Sequence, residues 1–185
     1  MRRKIKLIFG LGNEGEIYKN TRHNIGKDLV SSWLKKPINL HHSVFEKVDK
    51  TLYVATNLTF VNESGKSLKE LQTKLKLKPE EILVIHDDAD IIFPFLKFSF
   101  GASSAGHKGI ESIIRYLKTK NFWRLRIGIN KKKRLQAEKL VLKKWGQEEL
   151  KVVKKMKEKL QEILIKGLKE RLPNELNLPK DYFNE

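Results

Sequence analysis

Cysteine is absent from this chain of 185 residues. Disulfides, zinc–thiolate centres and a thiol nucleophile are excluded with it. Acidic charge is scarce: 22 Asp and Glu stand against 39 Lys and Arg, a formal net charge of +17. That imbalance favours a polyanionic partner, with nucleic acid first among them. Lysine supplies most of the excess, so part of it can be no more than a solvated lysine-rich surface. The charge is also uneven, with fifteen basic and six acidic residues between Lys131 and Arg171. Long hydrophobic runs are missing too. No stretch approaches the roughly 20 apolar residues of a membrane span. The apolar run that follows Met1-Arg2-Arg3-Lys4 ends by Leu11, too short for the core of a secretory signal. The expectation is a cytoplasmic protein with no membrane attachment.

What remains is ample for one globular domain. Hydrophobic residues make up 39% of the chain, and a chain of this length buries about 70% of the surface that its unfolded form exposes. The apolar residues recur with regular spacing. Lys4 to Phe9, Leu52 to Ala55, Leu58 to Phe60, Ile82 to Ile85, Phe95 to Phe100 and Trp123 to Ile129 read as strands, and the continuous run Ile82 to Ile85 as one buried on both faces. Ile25 to Leu34 and Ser64 to Leu75 read as helices. Ile110, Ile113, Ile114 and Leu117 form one helical face. Leu150, Val153, Met156, Leu160, Leu164 and Leu168 line a long basic amphipathic helix from Gln147 to Arg171. Gly101 to Gly106 is a loop of small residues. Strands alternating with helices predict an α/β fold: a single domain over residues 1–185, with a mixed, mostly parallel twisted sheet flanked by helices. Ligands in such folds sit beyond the carboxyl ends of the strands.

Three segments carry candidate chemistry. Gly10-Leu11-Gly12-Asn13-Glu14-Gly15 matches the dinucleotide fingerprint G-x-G-x-x-G. A cofactor loop should open directly into a helix, but the chain continues Glu16-Ile17-Tyr18-Lys19-Asn20, which is polar and helix-poor. Lys35, Lys36 and Pro37 stand where an acidic ribose ligand belongs. The glycines therefore read as a tight turn, and no nicotinamide cofactor is expected. Thr21-Arg22-His23-Asn24 places a histidine in a polar loop, where it can accept a proton from water and return it near neutral pH. A lone histidine is more often structural, and that reading stands beside the catalytic one. His86-Asp87-Asp88-Ala89-Asp90 follows the buried strand. Asp87 could orient an imidazole, the carboxylates could hold Mg²⁺, or the segment could be only a turn. Adjacent residues on an extended segment point in opposite directions, so these carboxylates cannot all converge on one ion.

Taken in order, the chain resembles the bacterial-type peptidyl-tRNA hydrolases. The matching segments are Lys6 to Asn13, then Tyr18 with Thr21-Arg22-His23-Asn24-Ile25-Gly26, Thr59 to Gly65, Ile85 to Asp90, Gly106-His107-Lys108-Gly109, and Phe122 to Ile129. The resemblance spans most of the chain. It implies hydrolysis of the ester of peptidyl-tRNA, without metal or cofactor, in translation and ribosome rescue. It also implies a monomer that needs no protein partner. His23 would be the general base that activates water, and Asp87 would hold its imidazole in the basic tautomer. Asn13 would position the substrate and distinguish blocked from free aminoacyl groups. Asn62 would support the developing oxyanion, while Tyr18 and Phe60 would meet the 3′ end of the tRNA or the attached residue. Lys97, Lys108, Arg126, the run Lys131-Lys132-Lys133-Arg134 and the basic helix would hold the acceptor stem by its phosphates. The chain departs from the family pattern at Glu14, where Pro is usual, at Val61, where Met is usual, and at Lys108, where a substrate-binding Asn is usual. The loop from Gly101 to Gly106 and the segment after Ile129 also differ. The alternative is a non-catalytic RNA-binding member of the same fold.

Overall fold

The computed structural model describes residues 4–131 and 142–166. Lys132, Lys133 and Arg134 of the basic run, and the expected helical residues from 167 to Arg171, lie outside the described residues. Seven strands form one sheet in the order β2-β3-β4-β1-β5-β7-β6. They are β1 (Leu7–Gly10), β2 (Ile38–Asn39), β3 (Ser43–Lys47), β4 (Tyr53–Asn57), β5 (Ile82–Ile92), β6 (Leu96–Phe100) and β7 (Trp123–Asn130). The four central strands β4, β1, β5 and β7 run parallel, and β3, β2 and β6 add antiparallel edges. The mixed α/β architecture is the one expected.

Alternation along the central strands sorts the core into two layers. Ile8, Leu83, Ile85, Leu125 and Ile127 pack on one face of the sheet with Ile25, Leu29 and Val30 of α1 (Ile25–Ser31). Val153, Met156 and Leu160 of α4 (Gln147–Gln161) join that layer. Leu7, Phe9, Ile82 and Val84 pack on the other face with Leu68 and Leu71 of α2 (Ser64–Leu75) and Ile110, Ile113 and Leu117 of α3 (Lys108–Leu117). The C-terminal helix is amphipathic as the spacing predicts, burying Val153, Met156 and Leu160 and exposing Lys151 and Lys154. It passes into a wider-wound turn at Glu162–Lys166.

Two strand expectations are corrected. Leu58 to Phe60 is a bend, not a strand, because the chain turns there to enter α2. β5 does not stop at Ile85 but runs to Ile92, so His86 to Asp90 are strand residues instead of a loop. Pairing with β7 holds that extension in place through Asp87 opposite Ile127 and Asp88 opposite Gly128. Side-chain alternation along it sends Asp87 and Asp88 to different partners.

One close approach places the site. A Cβ on Gly26 would lie 2.1 Å from the Ile85 carbonyl oxygen and 2.9 Å from that of Leu11. Only glycine lets α1 settle this deeply between β1 and β5. The Lys27 amide then donates to Leu11 O and the Leu11 amide to Ile85 O, both at 3.0 Å. The short turn before α1 is thereby brought to the carboxyl end of the central strands.

Candidate active site

His23 stands on the 3₁₀ turn Arg22–Asn24. Its Nδ1 donates to Asp87 Oδ1 at 2.9 Å, across 64 residues of sequence. A second imidazole meets the same oxygen: His107 Nε2 lies 2.9 Å from Asp87 Oδ1. Asp87 is nearly fully buried, and both histidines are largely so. A cleft of about 350 Å³ opens onto the cluster, lined by His23, Asp87, Asp88, Asp90, Ser104 and His107 among others.

The neighbours fix the tautomers. His107 is the N-cap of α3, and its Nδ1 accepts from the Ile110 amide at 3.3 Å. A neutral imidazole that accepts at Nδ1 carries its proton on Nε2, which is the atom facing Asp87. In His23 the order is reversed. Its Nδ1–H serves Asp87, which leaves the Nε2 lone pair for a proton from outside.

His23, Asp87 and His107 offer three potential ligand atoms within 4.8 Å of one another. A cation on His107 Nε2 would drive that ring's proton to Nδ1, against the Ile110 N–H, and α3 would lose its cap. The set therefore suits proton transfer better than metal ligation.

Charge supports the same use. Burial alone would push the Asp87 carboxyl upward. The positive charge that His23 and His107 carry when protonated, together with their hydrogen bonds, instead holds it far below the ordinary carboxylate range. Burial disfavours the charged ring of His23, but the Asp87 charge and hydrogen bond outweigh it and raise its pKa above the ordinary value. His86, wholly buried beside this pair, is pushed the other way, first by burial and then by His107. Its ring meets that of His107 edge-on at 4.8 Å.

Asn13 lies on a second, adjoining cluster. Its amide donates to Asn24 Oδ1 at 2.8 Å, and Asn24 Nδ2 donates back to Asn13 O at 2.9 Å. Asn13 Oδ1 accepts from the Val61 amide at 2.8 Å. Only its Nδ2 remains for an incoming acceptor among the described residues. Asn24 follows His23 directly, so one short turn carries the imidazole and also aligns Asn13.

Asn62, next to Val61, is exposed on the 3₁₀ turn Val61–Glu63 and does not line the 350 Å³ cleft. Tyr18 and Phe60 meet edge to face at 6.2 Å, with Phe60 52% exposed.

The expected phosphate contacts fall unevenly. Lys108 borders the cleft with a side chain 75% exposed, loosely paired to Glu111 at 3.3 Å. Lys97 is exposed on β6, directly opposite Arg126 of β7. Arg126 is less open, since its Nε donates to Asp88 Oδ2 at 2.6 Å beside the cleft wall. Lys131 reaches Glu149 at 3.5 Å.

Sequence reasoning assigned no role to His107 or Asn24, although both lie inside segments it singled out. A histidine between a run of small residues and an apolar helical face is the signal of an N-cap that could have flagged His107. Arg22 was also passed over. Its guanidinium donates to both carboxylate oxygens of Glu149 at 2.8 and 2.7 Å, donates to Ile129 O at 2.8 Å, and lies 4.4 Å from the Trp145 ring centre. This buried pair ties the His23 turn to the start of α4.

Similarity to known proteins agrees with this geometry. The family model described as peptidyl-tRNA hydrolase matches residues 7–182. A peptidyl-tRNA hydrolase of Hydrogenobaculum sp. is 39% identical over 175 residues, covering 91% of this chain and 93% of that protein. One from Aquifex aeolicus is 36% identical, covering 89% and 90%. The crystal structure of peptidyl-tRNA hydrolase from Acinetobacter baumannii superposes with a TM-score of 0.73 at 28% identity, covering 88% of this chain and 89% of that one. With the matched residues running through both the His23 turn and the Asp87 strand, this chain belongs to the peptidyl-tRNA hydrolase family.

Proposed function

We propose that this chain hydrolyses the ester joining a peptide to the 3′ end of tRNA, with His23 as the general base. Water held in the cleft gives a proton to His23 Nε2 as its oxygen attacks the ester carbonyl carbon. The imidazolium that forms is stabilised by Asp87, which keeps Nδ1–H in place throughout. Collapse of the tetrahedral intermediate breaks the bond to the ribose oxygen. The proton on Nε2 passes to that oxygen, releasing free tRNA and peptide acid. No metal is needed, because the ester is activated and the requirements are a placed water, a base and hydrogen-bond donors.

Asn13 Nδ2 is the donor for the blocked aminoacyl group, and Asn62 supports the developing oxyanion. Tyr18 and Phe60 offer an exposed aromatic edge to the 3′-terminal base or the attached residue. Lys97, Lys108 and Arg126 hold the acceptor stem by its phosphates, which carry no sequence information and so suit an enzyme that serves many tRNAs.

The single observation that carries this reading is the 2.9 Å hydrogen bond from His23 Nδ1 to Asp87 Oδ1 at the wall of the cleft. The test is hydrolysis of N-acetyl-aminoacyl-tRNA by the parent and by His23→Ala. The variant is expected to lose about 10²–10⁴-fold in rate. Full activity in the variant would remove His23 from the reaction. A parent that binds tRNA but leaves the ester intact would mark the chain as a non-catalytic RNA binder.

A further inference from the structure

The Asn13 loop is held by a buried cation that the reaction scheme does not use. Lys27, on α1, has a side chain only 12% exposed. Its ammonium contacts the Glu14 carboxylate and donates to the Asn57 carbonyl oxygen at 2.6 Å. The Lys27 stem lies against Gly12, where an added Cβ would meet Lys27 Cβ at 2.7 Å. Asn57 in turn grips the same loop, its Nδ2 donating to Gly12 O at 2.6 Å and its Oδ1 accepting from the Gly12 amide at 3.3 Å. Asn57 Nδ2 also donates to Thr59 O at 2.6 Å, at the entrance to the segment that carries Phe60 and Asn62. One side chain thus sits where the loop after β1, the end of β4 and α1 meet, and Asn13 lies between Gly12, which the Lys27 stem adjoins, and Glu14, which its ammonium contacts.

We infer that Lys27 and Glu14 form a positioning clamp that holds the Asn13 amide at the angle needed to select the blocked aminoacyl group. This rests on the ester-hydrolase reading above. Neither residue touches the reacting atoms in that scheme. Their effect passes through Asn13, whose backbone they flank and whose side chain is fixed by the Val61 amide. Burial pushes the Lys27 pKa down, and the hydrogen bond and charge of Glu14, followed by the charge of Asp28, act against it. Glu14 is itself half exposed. An exposed carboxylate can ordinarily be removed with little effect on folding, which makes it the cleaner probe.

The experiment compares the parent chain with Glu14→Ala, Glu14→Gln and Lys27→Met. Two readouts are taken: steady-state hydrolysis of N-acetyl-aminoacyl-tRNA, and amide hydrogen exchange at Val61, the N–H that Asn13 accepts. In Glu14→Ala and Lys27→Met, KM is expected to rise about tenfold, because small displacements of a positioning group are costly. The acid limb of the pH profile, which belongs to His23, is expected to stay in place. Val61 exchange is expected to quicken about tenfold as the local hydrogen bond opens more often. Glu14→Gln, which keeps an acceptor for Lys27, is expected to fall between parent and Glu14→Ala. Unchanged Val61 exchange in both Glu14→Ala and Lys27→Met overturns the clamp. Faster exchange with unchanged KM in the folded variants overturns its role in substrate selection. If the parent itself leaves the ester intact, the hydrolase reading and the selection role built on it both fall.

Discussion

His23 and His107 converge on a single oxygen of Asp87, each at 2.9 Å, with ring centres 5.2 Å apart. The two rings present opposite nitrogens to it, Nδ1 from one and Nε2 from the other. Asp87 therefore divides its charge between a ring that faces the cleft and a ring that caps α3. The basicity of His23 depends on how much of that charge the second ring takes.

Removing the charge from Asp87 should cost more than removing its shape would suggest. Asp87→Asn keeps the size of the side chain but cannot stabilise an imidazolium. Hydrolysis of N-acetyl-aminoacyl-tRNA is expected to slow about 10²–10⁴-fold. Single-turnover rates at saturating enzyme check this directly, and a rate within a factor of two or so of the parent would set Asp87 aside.

The pH dependence follows from the direction of the His23 shift. In the proposed reaction His23 must be neutral to act as base, and its folded pKa lies above the ordinary value. Activity is therefore expected to climb with pH through a midpoint displaced upward from that of a free histidine. His107→Ala frees Asp87 Oδ1 for His23 alone and is expected to move the midpoint further upward. An unmoved midpoint would mean that the two rings are not coupled through Asp87.

Stability should respond to the same groups with opposite signs. His23, with a raised folded pKa, contributes stability below the ordinary histidine value and loses it as pH rises through the folded one. Asp87, held low, contributes its full share above the ordinary carboxylate value. That share is lost as pH falls from there toward the folded value. Urea unfolding of the parent and Asp87→Asn is expected to show a gap that widens from alkaline to mildly acidic pH, as His23 is protonated beside Asp87, and that narrows again below the ordinary carboxylate value. A gap independent of pH would contradict the linkage.

The Arg22–Glu149 pair predicts a large effect far from the reacting atoms. Both side chains are largely buried, and Glu149→Ala would leave the guanidinium without its counterion. The expected loss is about 3 kcal/mol of folding stability, as for other buried charges stripped of a partner. Denaturant midpoints measure it. A surface-like change of a few tenths of a kcal/mol would show that water replaces the carboxylate.

Chelator and salt separate the remaining readings. Turnover is expected to be indifferent to EDTA, and a loss restored by Mg²⁺ would reinstate a metal. Affinity for tRNA should fall steeply with added salt, because phosphate contacts release counterions. Lys97→Ala and Lys108→Ala are each expected to flatten that slope. A salt-independent affinity would remove the basic face as the docking surface.

How far the molecule can be read from its residues varies with the length of the pattern. Ser64–Leu75 is legible because Leu68, Leu71 and Leu75 recur at helical spacing, and Trp123–Asn130 because Trp123, Leu125, Ile127 and Ile129 alternate with other residues. The two-residue strand Ile38–Asn39 has too little pattern to register. Ser43–Lys47 hides behind polar ends, and its identity comes from pairing with β4. Leu58 to Phe60 looks extended by composition, yet Asn57 binds the Thr59 carbonyl and bends the chain. The polar half of β5 leaves a turn open as one reading, because three carboxylates in four residues are poor strand formers. Tertiary pairing overrides that local preference. The meeting of His23 with Asp87 came from likeness to a family, since nothing in the spacing of residues 64 apart dictates it. The partnership of His107 and Asp87 depends on where α3 begins, which only the packed sheet decides.

The Arg22–Glu149 link spans 127 positions of sequence. During synthesis Arg22 emerges long before its counterion exists, so this ion pair closes only once the start of α4 has been made. The seven strands of the sheet and α1 to α3 precede it in the chain and can assemble earlier. A chain cut short before Glu149 would keep the bonds from this turn to Asp87, Asn13 and Ile129 but would lack its ion pair.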